Sequence, residues 1–297
     1  AGTLERGSTV SDFDPLERKM QHSLNAAVMH TMRGDTRIHF IDTPGSPDFL
    51  GQSLPALEAV ETAAVVINAA VGIEPMALRM MSYAAARHMD RLIIVNKIDA
   101  AGVDLPGLLA QIQATFGKEC LPVNLPDAGA TQVVDCFFNR AGHSDFGSVD
   151  DAHRALVEQV VDVDEAFLDR YLNDGDVDAT ELHAPLEKAL REGHLIPVCF
   201  VSARSGAGVE ELLDVIVKLL PNPMEANPPD FLKGEGDSAQ PMQATPDPAL
   251  HVLAHVFKVT VDPFVGRMGL FRVHQGTVTK DSQLYIGDGR KPFKVGH

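Results

Sequence analysis

The chain has 297 residues, 45% of them hydrophobic, and a formal net charge of −16. That length and apolar content suit two packed domains, and an acidic balance of this size excludes broad non-specific nucleic-acid binding, which needs a basic surface to displace counterions. No apolar run approaches the roughly 20 residues of a bilayer span and no signal pattern opens the chain, so a cytoplasmic protein with no membrane partner is expected. Cys120, Cys136 and Cys199 are odd in number, far apart and without metal-ligand spacing, and are read as reduced thiols in small apolar sites.

In chain order, the first apolar strand core is IHFID at 38–42, with a helix starting near Asp48. A strand AAVVINAA at 63–70 follows, then a helix opening at Pro75 with Met76, Leu78, Met81 and Ala85 at periodic positions, then a strand RLIIV at 91–95. This alternation predicts a parallel sheet covered by helices on both faces. Past Asp99 the hydrophobicity falls. Helices around Asp151–Val161, Asp164–Leu172 and Ala179–Glu192 and a strand at Gln132–Phe138 read as an inserted α/β subdomain, about 103–195. The sheet resumes with LIPVCFVSA at 195–203, then an amphipathic helix at 208–220 stopped by Pro-Asn-Pro. Residues 223–248, rich in Pro, Gly and small polar residues, suit an interdomain linker. From 249 the runs HVLAHVFKVTVD, GLFRVHQGTVTK and SQLYIGD predict the start of an antiparallel β-barrel. This last segment holds seven basic and three acidic residues, a net of +4 against the acidic remainder, an asymmetry that marks either a local polyanion contact or ordinary solvated strand faces.

The strongest chemical signal is Asn96-Lys97-Ile98-Asp99 at the carboxyl end of RLIIV, the edge where open α/β sheets bind ligands. A carboxylate there accepts two hydrogen bonds from the ring and exocyclic nitrogens of guanine, a pattern adenine does not offer. Asp99 is the candidate base reader. Asn96 would tie the loop and contact the base edge, and the stem of Lys97 would cover the ring. Asp42-Thr43-Pro44-Gly45 follows IHFID: Asp42 suits holding a water on Mg²⁺, and Gly45 suits a phosphate approaching a bare amide. Ser202-Ala203 ends a third strand, where a small residue lets the Ala203 amide reach the guanine oxygen. Asp145-Phe146-Gly147 matches a kinase triplet by chance, because the other kinase patterns are absent. His183 and His194 lack metalloprotease spacing and are read as surface residues.

Taken together, Asp-Thr-Pro-Gly, Asn-Lys-Ile-Asp, Ser-Ala and then DPFVGRMGLFRVHQGTV at 262–278 resemble elongation factor G and its paralogues across essentially the whole chain. The resemblance implies a fold of the P-loop NTPase type in residues 1–222, with a second domain from 249 to 297. It also implies a GTP-dependent factor, cycling between GTP and GDP with Mg²⁺, that acts as a monomer on the ribosome, against its RNA and proteins, and not on DNA. Ser23, in QHSLNAA, takes the position of the hydroxyl that ligates Mg²⁺ in the GTP state, although Met20-Gln21 replaces the family's arginine-glycine pair.

Two departures follow. No Gly-x-x-x-x-Gly-Lys-Ser/Thr occurs; Gly117-Lys118 is followed by Glu119. The family places that phosphate loop upstream of Ala1, so the chain is expected to be a fragment with little nucleotide affinity of its own. The family's water-orienting histidine after Asp-Thr-Pro-Gly is here Ser46, followed by Pro47. Serine has no imidazole, so hydrolysis is expected to be slow or to use groups from a partner. The alternative is a ribosome-associated module that uses GTP as a conformational ligand with little or no hydrolysis. A dehydrogenase is disfavoured, since no Gly-x-Gly-x-x-Gly follows the first strand.

Overall fold

The computed structural model describes residues 3, 6–11, 13–174, 183–226, 231–234, 236–287, 289 and 291–295. Its elements in chain order are α1 (Pro15–Met20), β1 (Ala27–Arg33), β2 (Thr36–Asp42), α2 (Leu50–Leu57), β3 (Thr62–Asn68), α3 (Pro75–Ala86), β4 (Asp90–Asn96), α4 (Leu105–Phe116), β5 (Cys120–Pro122), β6 (Asn124–Pro126), β7 (Val133–Asp135), α5 (Val149–Val161), α6 (Glu165–Asp174), α7 (His183–Arg191), β8 (Ile196–Val201), α8 (Val209–Lys218), β9 (Phe231–Lys233), β10 (Gln240–Met242), β11 (Leu253–Asp262), β12 (Gly266–Gln275), β13 (Gln283–Leu284) and β14 (Phe293–Lys294). The chain forms two compact units. One comprises Ala1–Met29, Ile41–Val60 and Asn227–His297; the other comprises His30–Phe40 and Glu61–Ala226.

The second of these units holds a parallel sheet in the order β3-β4-β8-β5. Side chains alternate along each strand, so each strand feeds both faces. Ile93 and Val95 of β4 with Val198 and Phe200 of β8 join Met81 of α3 and Leu108 and Ile112 of α4 in one core cluster. Leu92 of β4 and Cys199 of β8 join Leu156 and Val160 of α5, Leu186 and Leu190 of α7 and Val215 of α8 in the other. Every residue of β8 is buried, as a central parallel strand requires. Phe146 touches both clusters and its ring lies 5.0 Å from that of Phe200. Phe146 of the kinase-like triplet is therefore a packing residue, while Asp145 and Gly147 are exposed. The three cysteines are free and buried; burial raises all three thiol pKa values, those of Cys120 and Cys136 to about 12, which suppresses thiolate reactivity.

The structure departs from the expected pattern in three places. IHFID does not join the parallel sheet: β2 pairs with β1 in a separate two-stranded hairpin. The reason lies in the flanks, because Thr36, Arg37 and His39 are exposed, and an alternating strand cannot be covered on both faces. The helix opening at Pro75 buries Ala77, Met81 and Ala84, while Leu78 stays 42% exposed. Within the stretch expected as an insertion, α4 and β5 were not anticipated, and β5 pairs with β8 of the main sheet. Asp104 caps α4 by accepting from the Gly107 amide at 2.9 Å, and Gly117 ends the helix in a backbone conformation suited to glycine (φ 118°). The helices expected at 151–161, 164–172 and 179–192 are present as α5, α6 and α7, with 175–182 outside the described residues.

In the other unit, α1 opens on a capping box: Asp14 accepts from its first turn and Glu17 accepts from the Asp14 amide. Among the described residues, the chain from Phe231 onward forms three antiparallel pairs, β9–β10, β11–β12 and β13–β14, of which β11–β12 is by far the longest. The β9–β10 pair falls within 223–248.

Candidate functional site

In the unit that holds the parallel sheet, the expected base-reading residues gather at the carboxyl ends of β4 and β8. Parallel register puts Asn68 beside Asn96 and Asn96 beside Val201, so three strands end together. The Asn96 side-chain oxygen accepts from its neighbour Lys97 N at 2.7 Å and from Ala203 N at 3.0 Å. One amide thus joins two loops separated by more than a hundred residues in sequence. The backbone reinforces it: the Ile98 amide donates to the Val201 carbonyl at 3.3 Å, and the Asn96 carbonyl accepts from Ala69 at 2.8 Å. Ile98 is the loop's anchor in the core, 3% exposed, and Lys97 takes a left-handed conformation (φ 66°), which leaves Lys97 and Asp99 both exposed.

The second loop is a tight turn. The Ser202 amide donates to Ala207 at 2.8 Å, the Gly206 amide donates to Ser202 at 2.8 Å, and the buried Ser202 hydroxyl accepts from Ser205 N at 3.1 Å. Gly208 leaves this turn at φ 74°, and a Cβ there would lie 2.3 Å from the Phe200 carbonyl oxygen, so only glycine fits. The Ala203 amide, expected to face guanine, is here engaged by Asn96. Asn68 was not anticipated. Its side chain accepts from Ala70 N at 3.1 Å, and the signal for it was available: a lone polar residue closing an apolar strand, as Asn96 does.

The remaining candidates, Ser23, Asp42, Gly45 and Ser46, belong to the other unit. Asp42 is the last residue of β2, and Ser23 is half-buried between α1 and β1. A Cβ on Gly45 would meet nothing within 4 Å, so no protein group there demands glycine. Ser46 precedes a 3-10 turn at Pro47–Phe49, and its side chain makes no capping bond. The buried Ser53 hydroxyl on α2 donates to the Pro44 carbonyl at 2.9 Å, fastening the helix to the Asp-Thr-Pro-Gly turn. Among the described residues no three His, Cys, Asp or Glu side chains cluster as a metal cage. A carboxylate and a hydroxyl are nonetheless hard oxygen donors of the kind Mg²⁺ takes, a cation that fills most of its shell with water and phosphate. His194 is exposed, 3.5 Å from Glu192; the side chain of His183 lies outside those described. No helix among the described residues is long and apolar enough to cross a membrane.

Residues 1–222 match the family described as the elongation factor Tu GTP binding domain. The chain is 31% identical over 308 residues to an elongation factor G-like protein of Mycobacterium tuberculosis, covering 99% of this chain and 43% of that protein. It is 27% identical to elongation factor G of Thermotoga maritima, covering 96% of this chain and 44% of the relative. A solved crystal structure from Thermus thermophilus superposes with a TM-score of 0.77 at 26% identity, over 99% of this chain and 46% of the other. The chain spans less than half the length of the relatives it matches.

Proposed function

We propose, from the premise that this chain belongs to the elongation factor Tu GTP binding domain family and is an elongation factor G-like translational GTPase, that it is the nucleotide-reading part of a factor working on the ribosome. The supporting observation is the Asn96 bridge to the Lys97 and Ala203 amides, which presents Asp99 to solvent on a braced loop. In this reading Asp99 accepts from guanine, Lys97 covers the ring, and Ser202 and Ala203 close the base pocket. Asp42 and Ser23 hold Mg²⁺, directly or through water, and Gly45 offers its amide to the γ-phosphate. Bound Mg²⁺ would neutralise phosphate charge. GTP orders the segments around Ser23 and Gly45, and hydrolysis releases them.

Residues 1–222 then form the GTP-binding domain, 223–248 the linker, and 249–297 the start of a second domain. The partners are ribosomal RNA and proteins, the compartment is the cytoplasm, and the working form is a monomer. Ser46 stands where the family has its water-orienting histidine, so intrinsic hydrolysis is slow and depends on groups supplied by the partner.

The test is Asp99→Asn in the full-length protein. It reverses one hydrogen-bond direction at the base, so affinity should move from GTP towards xanthosine triphosphate by roughly a hundredfold in ratio. Unchanged GTP affinity would overturn the assignment.

A further inference from the structure

Two of the seven basic residues in 249–297 are turned onto backbone rather than outward. Lys258 on β11, only 8% exposed, donates through Nζ to the Ala26 carbonyl and lies 5.2 Å from the centre of the Phe13 ring. Arg272, on the paired strand β12, donates to the Ala59 carbonyl at 3.0 Å, just past α2. Both grips land on segments already fastened to candidate nucleotide-sensing residues. Glu17 of α1, 1% exposed, accepts from the amides of Asp14 at 3.3 Å and of Leu24 and Asn25, each at 2.9 Å. That folds α1 back over the loop carrying Ser23. On the other side, Ser53 ties α2 to Pro44, next to Gly45.

A buried cation and a buried carboxylate are costly unless each has polar partners. Glu17 and Lys258 find theirs on the same short loop, and their opposite charges favour one another. Both hairpin cations take main-chain carbonyls, so the grip follows where the loop backbone lies, with the Phe13 ring and the Glu17 carboxylate adding to it at Lys258.

We propose that Lys258 and Arg272 are positioning residues: the β11–β12 hairpin clamps the segments that bear Ser23 and Gly45–Ser46, and so sets the preference for GTP over GDP. The clamp rests on the GTP reading above, since it acts through residues proposed to sense the γ-phosphate. Coupling of this kind is reciprocal, so GTP in turn steadies the hairpin's hold.

The experiment uses the full-length protein with Lys258→Met, Arg272→Met and Lys258→Arg. Affinities for GTP and GDP are measured with Mg²⁺, and amide hydrogen exchange is followed at residues 24–27 and 56–60 in nucleotide-free protein. Each Met variant should weaken GTP by about tenfold while moving GDP less than about twofold. Exchange should rise by about tenfold at residues 24–27 for Lys258→Met and at 56–60 for Arg272→Met, with Lys258→Arg recovering most of the protection. Equal losses for GTP and GDP would mean a merely structural role and would overturn the clamp. So would unchanged exchange at both segments. If the wild-type protein does not prefer guanine nucleotides at all, the nucleotide reading fails, and the exchange result alone then decides the clamp.

Discussion

Asp90 opens β4 beside Thr62 of β3, at the sheet edge opposite the candidate nucleotide loops, and it is 2% exposed. Neither of its carboxyl oxygens has a hydrogen-bond partner, nor does the buried Thr62 hydroxyl. Burial pushes the carboxyl pKa from 3.8 up to about 7, with Arg191 pulling it down only in part and Glu187 pushing it up. Between those two values the folded state keeps a proton that the unfolded chain releases. Stability from this group is therefore full below about pH 4, falls as pH rises towards 7, and is constant above. At about 1.4 kcal/mol per pH unit, the gap is worth about 4 kcal/mol as an upper figure. Asp90→Asn removes the ionisation while keeping the shape. Urea unfolding of the 297-residue chain, followed by far-UV circular dichroism at a series of pH values, should find the variant more stable than wild type by about 1–4 kcal/mol at pH 8, with the difference shrinking as pH falls to about 5. A difference that is flat across this range, or a variant less stable at pH 8, would mean that Asp90 is ionised and paired in the fold, and the argument would fail.

Asn96→Ala removes the acceptor shared by the Lys97 and Ala203 amides; it should cost about 2 kcal/mol of nucleotide affinity, roughly thirtyfold by calorimetry on full-length protein, with little change in unfolding midpoint because the loops are exposed. Ser46 makes no capping bond, so Ser46→His sacrifices no cap and should raise ribosome-stimulated hydrolysis by at least roughly tenfold, about 1.4 kcal/mol of barrier, at nearly constant nucleotide affinity. Because Pro47 restricts the backbone after the site, the same change is measured with Pro47→Val; no gain in either, with wild type already fast, would place water orientation in another group.

What the sequence revealed and what it concealed divide along the range of the interactions. The Asn96–Asp99 loop was legible because its polar residues fall within four positions at the end of an apolar strand, and strand ends are marked by a local change of polarity. The helix α4 carried equally local signals, Asp104 at its start and Gly117 at its end, yet the falling hydrophobicity around it drew attention to an insertion instead. The placement of IHFID was not legible, since whether a strand joins a sheet or a hairpin depends on its flanks and on what covers its second face. Lys258 and Arg272 were read only as charge, the sign of a polyanion contact or of solvated strand faces. Their carbonyl partners lie 232 and 213 residues away, and no periodicity encodes a bond from a side chain to a distant backbone.

The Ala203 amide shows how a motif read as a sequence can conceal the contacts within it. Read as a sequence, Asn96 was expected to tie its own loop and contact the base edge, and Ala203 to make a separate contact to the guanine oxygen. In the structure the first holds the second, because the Asn96 oxygen is the acceptor for the Ala203 amide at 3.0 Å. For that amide to reach a guanine oxygen it must be shared between two acceptors or exchanged from one to the other. Exchange trades one hydrogen bond for another at small net cost, and holding the exposed amide beforehand keeps the loop ordered for the base. On the proposed reading, Asn96 would act as a stand-in for the base, keeping the second loop in place until guanine arrives. On this argument the loss in Asn96→Ala should fall on GTP and GDP alike, since both present the same base, and that pattern separates it from the GTP-selective loss expected of the Lys258 and Arg272 clamp.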